Sequence, residues 1–275
     1  MLKFVKMSGA GNDFILIDNL DGTTDTPVTA ELVRALCRRG LSVGADGVLE
    51  MGSDPEFPFR MRYYNSDGGE AEMCGNGGRC IAAFAARRGL VEPGEDFSFR
   101  SAAGVHRARV TGPDSARIWM TDPAIHFLDR KTRVGSHELS LSFVNTGVPH
   151  AVAVTGGPDI PPFDETARRL RSHSMFGQAG ANVNYLWTDN GSISMRTWER
   201  GVEGETLACG TGAVACAICA VELLGCAQPV DIGVRSGLTL TAGNDEKGWW
   251  LQGEARAVYS GVLESLPGRN LTEGP

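Results

Sequence analysis

Short alternations of apolar and polar residues dominate the chain, and helical spacing breaks in at only a few places. Residues 3–5 and 14–18 carry strand patterns, separated by the turn Gly9-Ala10-Gly11. Over 29–39, Leu32, Val33 and Leu36 fall on one helical side, with Thr29 placed to cap the start and Gly40 to end it. The stretch 59–64 alternates as a strand and breaks at Asn65-Ser66-Asp67-Gly68-Gly69; a helix with one small, apolar face follows over 76–88 and stops at Gly89. Strand patterns return at 97–99, 105–110 and 117–120. Beyond the turn Thr121-Asp122-Pro123 the same kinds of element recur. Strands are predicted at 139–144, 151–154, 182–187 and 192–198, helices at 163–170 and along the apolar run 213–227, and mostly strand from 230 to 262. Many short strands with few helices exclude the regular alternation of a doubly wound sheet. The break near 119–122 predicts a division of the chain there.

The two halves share an unusual feature. EMCGNGGRC at 72–80 and LACGTGAVAC at 207–216 each read as a loop running into a helix with a cysteine at its mouth. With Cys74 set on Cys209, 135 positions on, Gly69 falls on Gly204, Glu70 on Glu205, Gly75 on Gly210, Gly77 on Gly212 and Asn65 on Arg200. Such a repeat suggests two related lobes facing one another. At a helix start the first backbone amides lack internal partners and present partial positive charge, which favours a cysteine thiolate. Gly75 and Gly77, and likewise Gly210 and Gly212, are expected to leave room for a ligand at those amides. One such element would suit a nucleophilic hydrolase. Two, brought face to face, suit inversion at a carbon atom: a thiolate removes a proton from one side and a thiol returns one from the other. One cysteine must then be ionised and the other protonated, as a coupled pair. Facing cysteines could instead oxidise to a disulfide, as in a thiol redox protein, although neither motif is Cys-x-x-Cys. Cys216 and Cys219 have that spacing but lie in an apolar helix. They are expected to fill core, as are Cys37 and Cys80.

Composition narrows the class. The 275 residues are 42% hydrophobic and 21% charged, enough for one large domain or two of ordinary size. A net charge of -7 with dispersed basic residues lacks the basic stripe that nucleic acid requires. The most apolar run contains Glu222 and is too short to span a bilayer, so no membrane partner is expected. Seven cysteines in no disulfide-framework spacing, with no long apolar run at the start, predict reduced thiols and a cytoplasmic location. Gly9-Ala10-Gly11 is neither a dinucleotide fingerprint nor a phosphate loop, and the five histidines form no metal-ligand pattern. No cofactor and no metal are implied.

Several polar residues stand near the cysteine motifs or at strand ends. His150 follows Val148-Pro149 at a strand edge, where it could hold substrate or stabilise a thiol's protonation state. Glu199-Arg200 precedes the second cysteine loop; as an adjacent acid and base it reads either as a surface pair or as a carboxylate clamp with an ordering acid. Asn12, Asn65 and Asn182 each have a turn explanation, and together could meet the ammonium and carboxylate groups of an amino acid. Asp13, Asp46, Asp67 and Glu70 are read as turn and cap residues with no catalytic role.

Taken in order, Gly9-Ala10-Gly11-Asn12-Asp13-Phe14, Gly44-Ala45-Asp46-Gly47, Asn65-Ser66-Asp67-Gly68, Met73-Cys74-Gly75-Asn76-Gly77, Glu199-Arg200-Gly201 and Glu205-Thr206-Leu207-Ala208-Cys209-Gly210-Thr211-Gly212 resemble diaminopimelate epimerase across nearly the whole chain. The resemblance implies an isomerase that interconverts LL- and meso-diaminopimelate without a cofactor, for lysine and peptidoglycan synthesis. A racemase of another amino acid is the alternative within the same chemistry. It implies Cys74 and Cys209 as the two acid/base residues, and Gly75, Asn76, Gly210 and Thr211 near the reacting carboxylate. Asn12, Asn65, Asn182 and Arg200 would bind the remote amino-acid end, with His150 and Glu199 in support. The fold implied is α+β, with two similar strand-rich, barrel-like lobes, each around a central helix, and the active site in the cleft between them. The N-terminal lobe would span 1–119 with 254–275 returning to it, and the C-terminal lobe 120–253. A homodimer is the implied assembly. Two positions depart from the pattern: Val148 stands where well-known members carry asparagine before Pro-His, and Gly47 where some relatives carry glutamine.

Overall fold

The computed structural model describes residues 1–22 and 26–265, which form two compact units. The first comprises Met1–Ile118 with the segment from Gly253 onward, and the second Trp119–Gln252.

The first unit opens with β1 (Leu2–Gly9) and β2 (Asn12–Asn19), an antiparallel pair in the register Val5 to Leu16. The helix α1 (Ala30–Cys37) then crosses over to β3 (Gly47–Gly52), which runs parallel to β2. Thr29 caps α1 as its sequence suggested, its Oγ1 accepting from the Leu32 N–H at 3.3 Å. The antiparallel strand β4 (Arg60–Asn65) is followed by the short β5 (Glu70–Ala71) and the helix α2 (Gly75–Arg87). A meander of β6 (Asp96–Ser101), β7 (Gly104–Gly112) and β8 (Ser115–Trp119) completes this run. Every residue of α2 from Asn76 to Ala85 is buried, because strands β1, β2, β3, β4 and β7 pack around it. Ile15, Ile17, Leu32, Val33, Leu36 and Val48 form a second apolar layer, which seats α1 on the sheet's other face.

The second unit repeats that plan. It begins with β9 (Ala124–Val134) and β10 (His137–Asn145), then β11 (Pro149–Val154), and α3 (Phe163–Arg171) crosses over to a parallel β12 (Asn182–Asp189). Next come β13 (Ser192–Glu199), the short β14 (Gly204–Thr206) and the apolar α4 (Gly210–Leu224), which Gly225 ends in the left-handed conformation at φ 67°. The last strands of the run are β15 (Val230–Gly233), β16 (Thr239–Asp245) and β17 (Gly248–Glu254). The helix α4 is enclosed by β10, β11, β12, β13, β15 and β16. Leu141, Phe163, Leu170, Val183 and Tyr185 seat α3 outside the sheet. Finally β18 (Arg256–Leu263) pairs antiparallel with β1, as β9 pairs with β10.

The repeat suggested by the cysteines extends through the whole plan. The first residues of β1 and β10, of β3 and β12, of α2 and α4, and of β7 and β16 all lie 135 positions apart. The fold is therefore α+β and strand-rich, with one central helix in each unit. Four strands escaped the sequence reading: the short β5 and β14, two and three residues long, and the longer β3 and β9. β3, GVLEMG, is buried on both faces and so does not alternate, whereas β9 is charged and largely exposed and owes its conformation to hydrogen bonding with β10. Among the described residues no helix is long and apolar enough to cross a membrane.

Candidate active site

In the first unit Cys74 is the N-cap of α2, with extended backbone (φ -134°, ψ 122°), and its Sγ accepts from the Gly77 N–H at 3.5 Å. The sulfur takes the place of a capping oxygen, at the positive end of the helix dipole. A chain of side-chain hydrogen bonds leads from the next turn of the helix to the β1–β2 hairpin. Arg79 Nη2 donates to Asn76 Oδ1 at 2.9 Å, Asn76 Nδ2 to Asn12 Oδ1 at 2.5 Å, and Asn12 Nδ2 to Asp46 Oδ2 at 3.0 Å. One end of the chain can only donate and the other only accept, so the two ends fix the orientation of both amides. Asp46 is itself anchored: Arg39 donates to it at 2.8 Å, and the Asp13 N–H at 3.2 Å. Burial raises the Asp13 carboxyl, but hydrogen bonds from Arg39 and Lys6 outweigh it and hold the group below the usual range. Asn65 is exposed at the end of β4, its Oδ1 accepting from the Tyr63 hydroxyl at 2.8 Å.

In the second unit Cys209 caps α4 in the same backbone conformation (φ -133°, ψ 113°) and lies 3.5 Å from Thr211 Oγ1. His150, on β11, is completely buried. Its Nδ1 stands 2.8 Å from Asn184 Oδ1 and its Nε2 2.9 Å from Thr211 Oγ1. Asn184 in turn donates from Nδ2 to Thr197 Oγ1 at 2.7 Å, which leaves Oδ1 as the atom facing the ring. Burial is the main cause that pushes His150 down to about 4, and the positive charge of Arg200 adds to it. The imidazole is therefore neutral at pH 7. An amide oxygen only accepts, so the Nδ1–H donates to Asn184 and the Nε2 lone pair accepts from the Thr211 hydroxyl. Thr146 Oγ1 holds the Thr211 carbonyl at 3.0 Å. Asn182 is buried beneath the end of β13, its Oδ1 accepting from the Arg200 N–H at 2.7 Å; Glu199 and Arg200 are half-buried there.

The glycines divide differently from expectation. A Cβ added at Gly75 would meet nothing within 4 Å, as a ligand approach requires. At Gly77 it would lie 3.0 Å from Leu49 Cδ2, and at Gly212 2.6 Å from Asn184 Nδ2, so at these two the absent side chain serves packing against a strand. Burial pushes Cys37, Cys80 and Cys219 up to about 12, and Cys216 up as well, as core thiols require. Val148 contributes its backbone carbonyl to the Thr146 N–H at 3.1 Å, while neighbouring Asn145 accepts from the Gly147 N–H at 3.0 Å. Sequence reading gave no role to Arg79 or Asn184, although Arg79 is the one charged residue between Asn76 and Ala86, three positions after Asn76 and on its side of the helix.

The duplicated α+β fold has known structural company. The chain matches a PhzF-family phenazine biosynthesis protein of Bacillus anthracis at a TM-score of 0.72, covering 95% of this chain and 99% of that one at 15% identity. It matches a probable proline racemase from Agrobacterium radiobacter at 0.69, covering 99% and 95% at 14% identity. Identities so low establish the shared fold alone. Sequence comparison goes further: the diaminopimelate epimerase family model matches residues 4–127 and 142–258. The diaminopimelate epimerase of Chlorobaculum tepidum is 40% identical over 94% of this chain and 99% of its own, and that of a Hydrogenobaculum species 39% identical over 94% and 97%. The chain belongs to the diaminopimelate epimerase family.

Proposed function

We propose that this chain interconverts LL- and meso-2,6-diaminopimelate, with Cys74 and Cys209 as the acid/base pair and no pyridoxal or other cofactor. The carrying observation is the doubled thiol cap: each unit offers one cysteine at the start of its enclosed helix. One thiolate takes the α-proton, the electron pair stays on the α-carbon and its carboxylate, and the other thiol delivers a proton to the opposite face. The carbon acid is weak, so the amides at the two helix starts, around Gly75, Asn76, Gly210 and Thr211, meet the charge that develops on the carboxylate. Asn12, Asn65, Asn182 and Arg200 bind the remote amino-acid end, with the Arg200 guanidinium suited to a carboxylate. His150 and Glu199 order the second thiol's surroundings. In this reading the two compact units are the two catalytic lobes, and the enzyme works as a cytoplasmic homodimer.

Proton NMR of the reduced enzyme with LL-diaminopimelate in heavy water tests the reading. Deuterium at the α-carbon together with meso product is the expected result. Exchange with only another amino acid would reassign the substrate, and a folded, reduced enzyme giving neither signal refutes the reading.

A further inference from the structure

The two units share a backbone plan but differ in the groups behind their thiols. At the 135-position offset, Arg79 corresponds to Val214 and Leu49 to Asn184, and His150 pairs with Asn182 as Phe14 pairs with Gly47, so that Phe14 stands where His150 stands. All six are buried: Arg79, Leu49, Val214, His150 and Asn184 have 0% exposure and Phe14 has 1%. The first unit therefore has a buried cation, an aromatic and an aliphatic side chain where the second has an aliphatic side chain and a neutral polar pair.

Arg79 is an expensive residue to retain in a core. Its Nη2 reaches Asn76, but Nε and Nη1 have no hydrogen-bond partner among the described residues. Burial lowers its pKa, yet a guanidinium starts so far above neutrality that it stays charged. The acidic groups within electrostatic reach are Cys80, Cys74 and Glu254. Burial already keeps Cys80 protonated, and Glu254 accepts from Ser8 Oγ at 2.6 Å and pairs with Arg256 at 3.3 Å. The Lys6, Asp13, Arg39 and Asp46 cluster is tied to itself at the far end of the Asn76–Asn12 chain. Cys74 is the acidic group in reach whose ionisation Arg79 can still change, and its sulfur already accepts an amide hydrogen.

The second thiol is presented with the opposite partner. Asn184 fixes the His150 tautomer, and His150 then takes the hydrogen of the Thr211 hydroxyl. What Thr211 Oγ1 turns toward Cys209, 3.5 Å away, is a lone pair, which a protonated thiol can use and a thiolate cannot.

We propose that the resting proton is assigned by this asymmetry: Arg79 acts as a positioning residue that makes Cys74 the thiolate, and the Asn184–His150–Thr211 relay keeps Cys209 the thiol. The proposal rests on the two-thiol function above, but its test needs no turnover. Trace alkylation of the substrate-free full chain by iodoacetamide is followed across pH, with the Cys74 and Cys209 peptides resolved by mass spectrometry. Cys74 ionises at lower pH than Cys209 in the native chain. Arg79→Met slows Cys74 alkylation at neutral pH by roughly tenfold, the effect of one pKa unit, and leaves the Cys209 profile in place. Arg79→Lys restores most of the rate, which a role in packing alone would not predict. Cys209 ionising first in the native chain, or a folded Arg79→Met with an unmoved Cys74 profile, overturns the proposal. Should Arg79→Met fail to fold, the native order and Arg79→Lys decide. The heavy-water exchange assay on the native chain fails separately if the function is wrong.

Discussion

The neutral His150 makes the fold's stability depend on pH in a way that can be calculated. Its folded pKa, about 4, lies below the ordinary 6.5 of an exposed imidazole. Above the ordinary value neither folded nor unfolded chain binds a proton there, and the group's contribution is fully present. As pH falls below it, the unfolded chain gains a proton that the folded chain refuses, so stability is lost down to the folded value and levels off beneath it. Between about pH 7.5 and about pH 5 these two values give a loss of about 2 kcal/mol. The measurement is urea unfolding at both pH values on the native chain and on His150→Gln, which removes the titration. Carboxylates held below their usual range, among them Asp13, Asp54, Glu70 and Glu203, also cost stability as pH falls, but they are common to both proteins and cancel in the difference. The native chain should lose about 2 kcal/mol more than His150→Gln over this interval. Parallel losses would mean that His150 titrates normally in the folded chain, and would remove the basis for the tautomer assigned to it.

Three further outcomes follow from the geometry. Gly212→Ala drives a Cβ to 2.6 Å from Asn184 Nδ2 and 3.3 Å from His150 Cε1, and should cost about 1–3 kcal/mol in thermal or urea unfolding, whereas Gly75→Ala, with nothing within 4 Å, should leave stability unchanged and reduce turnover. Thr29→Ala removes the 3.3 Å cap of α1 and should lower stability by about 1 kcal/mol without altering α-proton exchange. Cys74→Ala and Cys209→Ala should each keep the native circular dichroism spectrum and lose nearly all epimerisation; full activity in either variant would end the two-thiol reading.

The parts of the fold that were legible in the sequence were those with a local cause. Thr29 marks a helix start because its hydroxyl replaces a missing partner, and the Cys-Gly-x-Gly stretches mark two more because each sets a cysteine immediately before a helical run. The same reasoning misjudged Gly77 and Gly212. What fills the space above each is Leu49 and Asn184, and both come from strands that contact the helix only after folding. β9 was missed for a similar reason, since hydrogen bonds to β10 are set by pairing and leave little trace in an exposed, charged strand. Arg79 was legible as a letter but not as a role. A lone arginine on a helix ordinarily lies on the surface, and only complete enclosure by the surrounding strands makes its charge consequential.

A duplicated chain that inverts a stereocentre faces a physical difficulty. If both halves kept the same surroundings, both thiols would have the same intrinsic proton affinity, and only their mutual interaction would favour one ionised and one protonated thiol, with nothing to decide which carries the proton. Mixed ionisation is favoured when one half supplies positive charge and the other supplies a hydrogen-bond acceptor. The substitutions between equivalent positions follow that division: Arg79 against Val214 removes the cation from the second half, while Phe14 against His150 and Leu49 against Asn184 install the acceptor relay there. Each exchange occurs beside a helix start whose backbone has not changed, with Cys74 and Cys209 at φ -134° and -133°. The backbone repeat thus supplies two equivalent thiol caps, and the buried side chains behind them make the pair unequal.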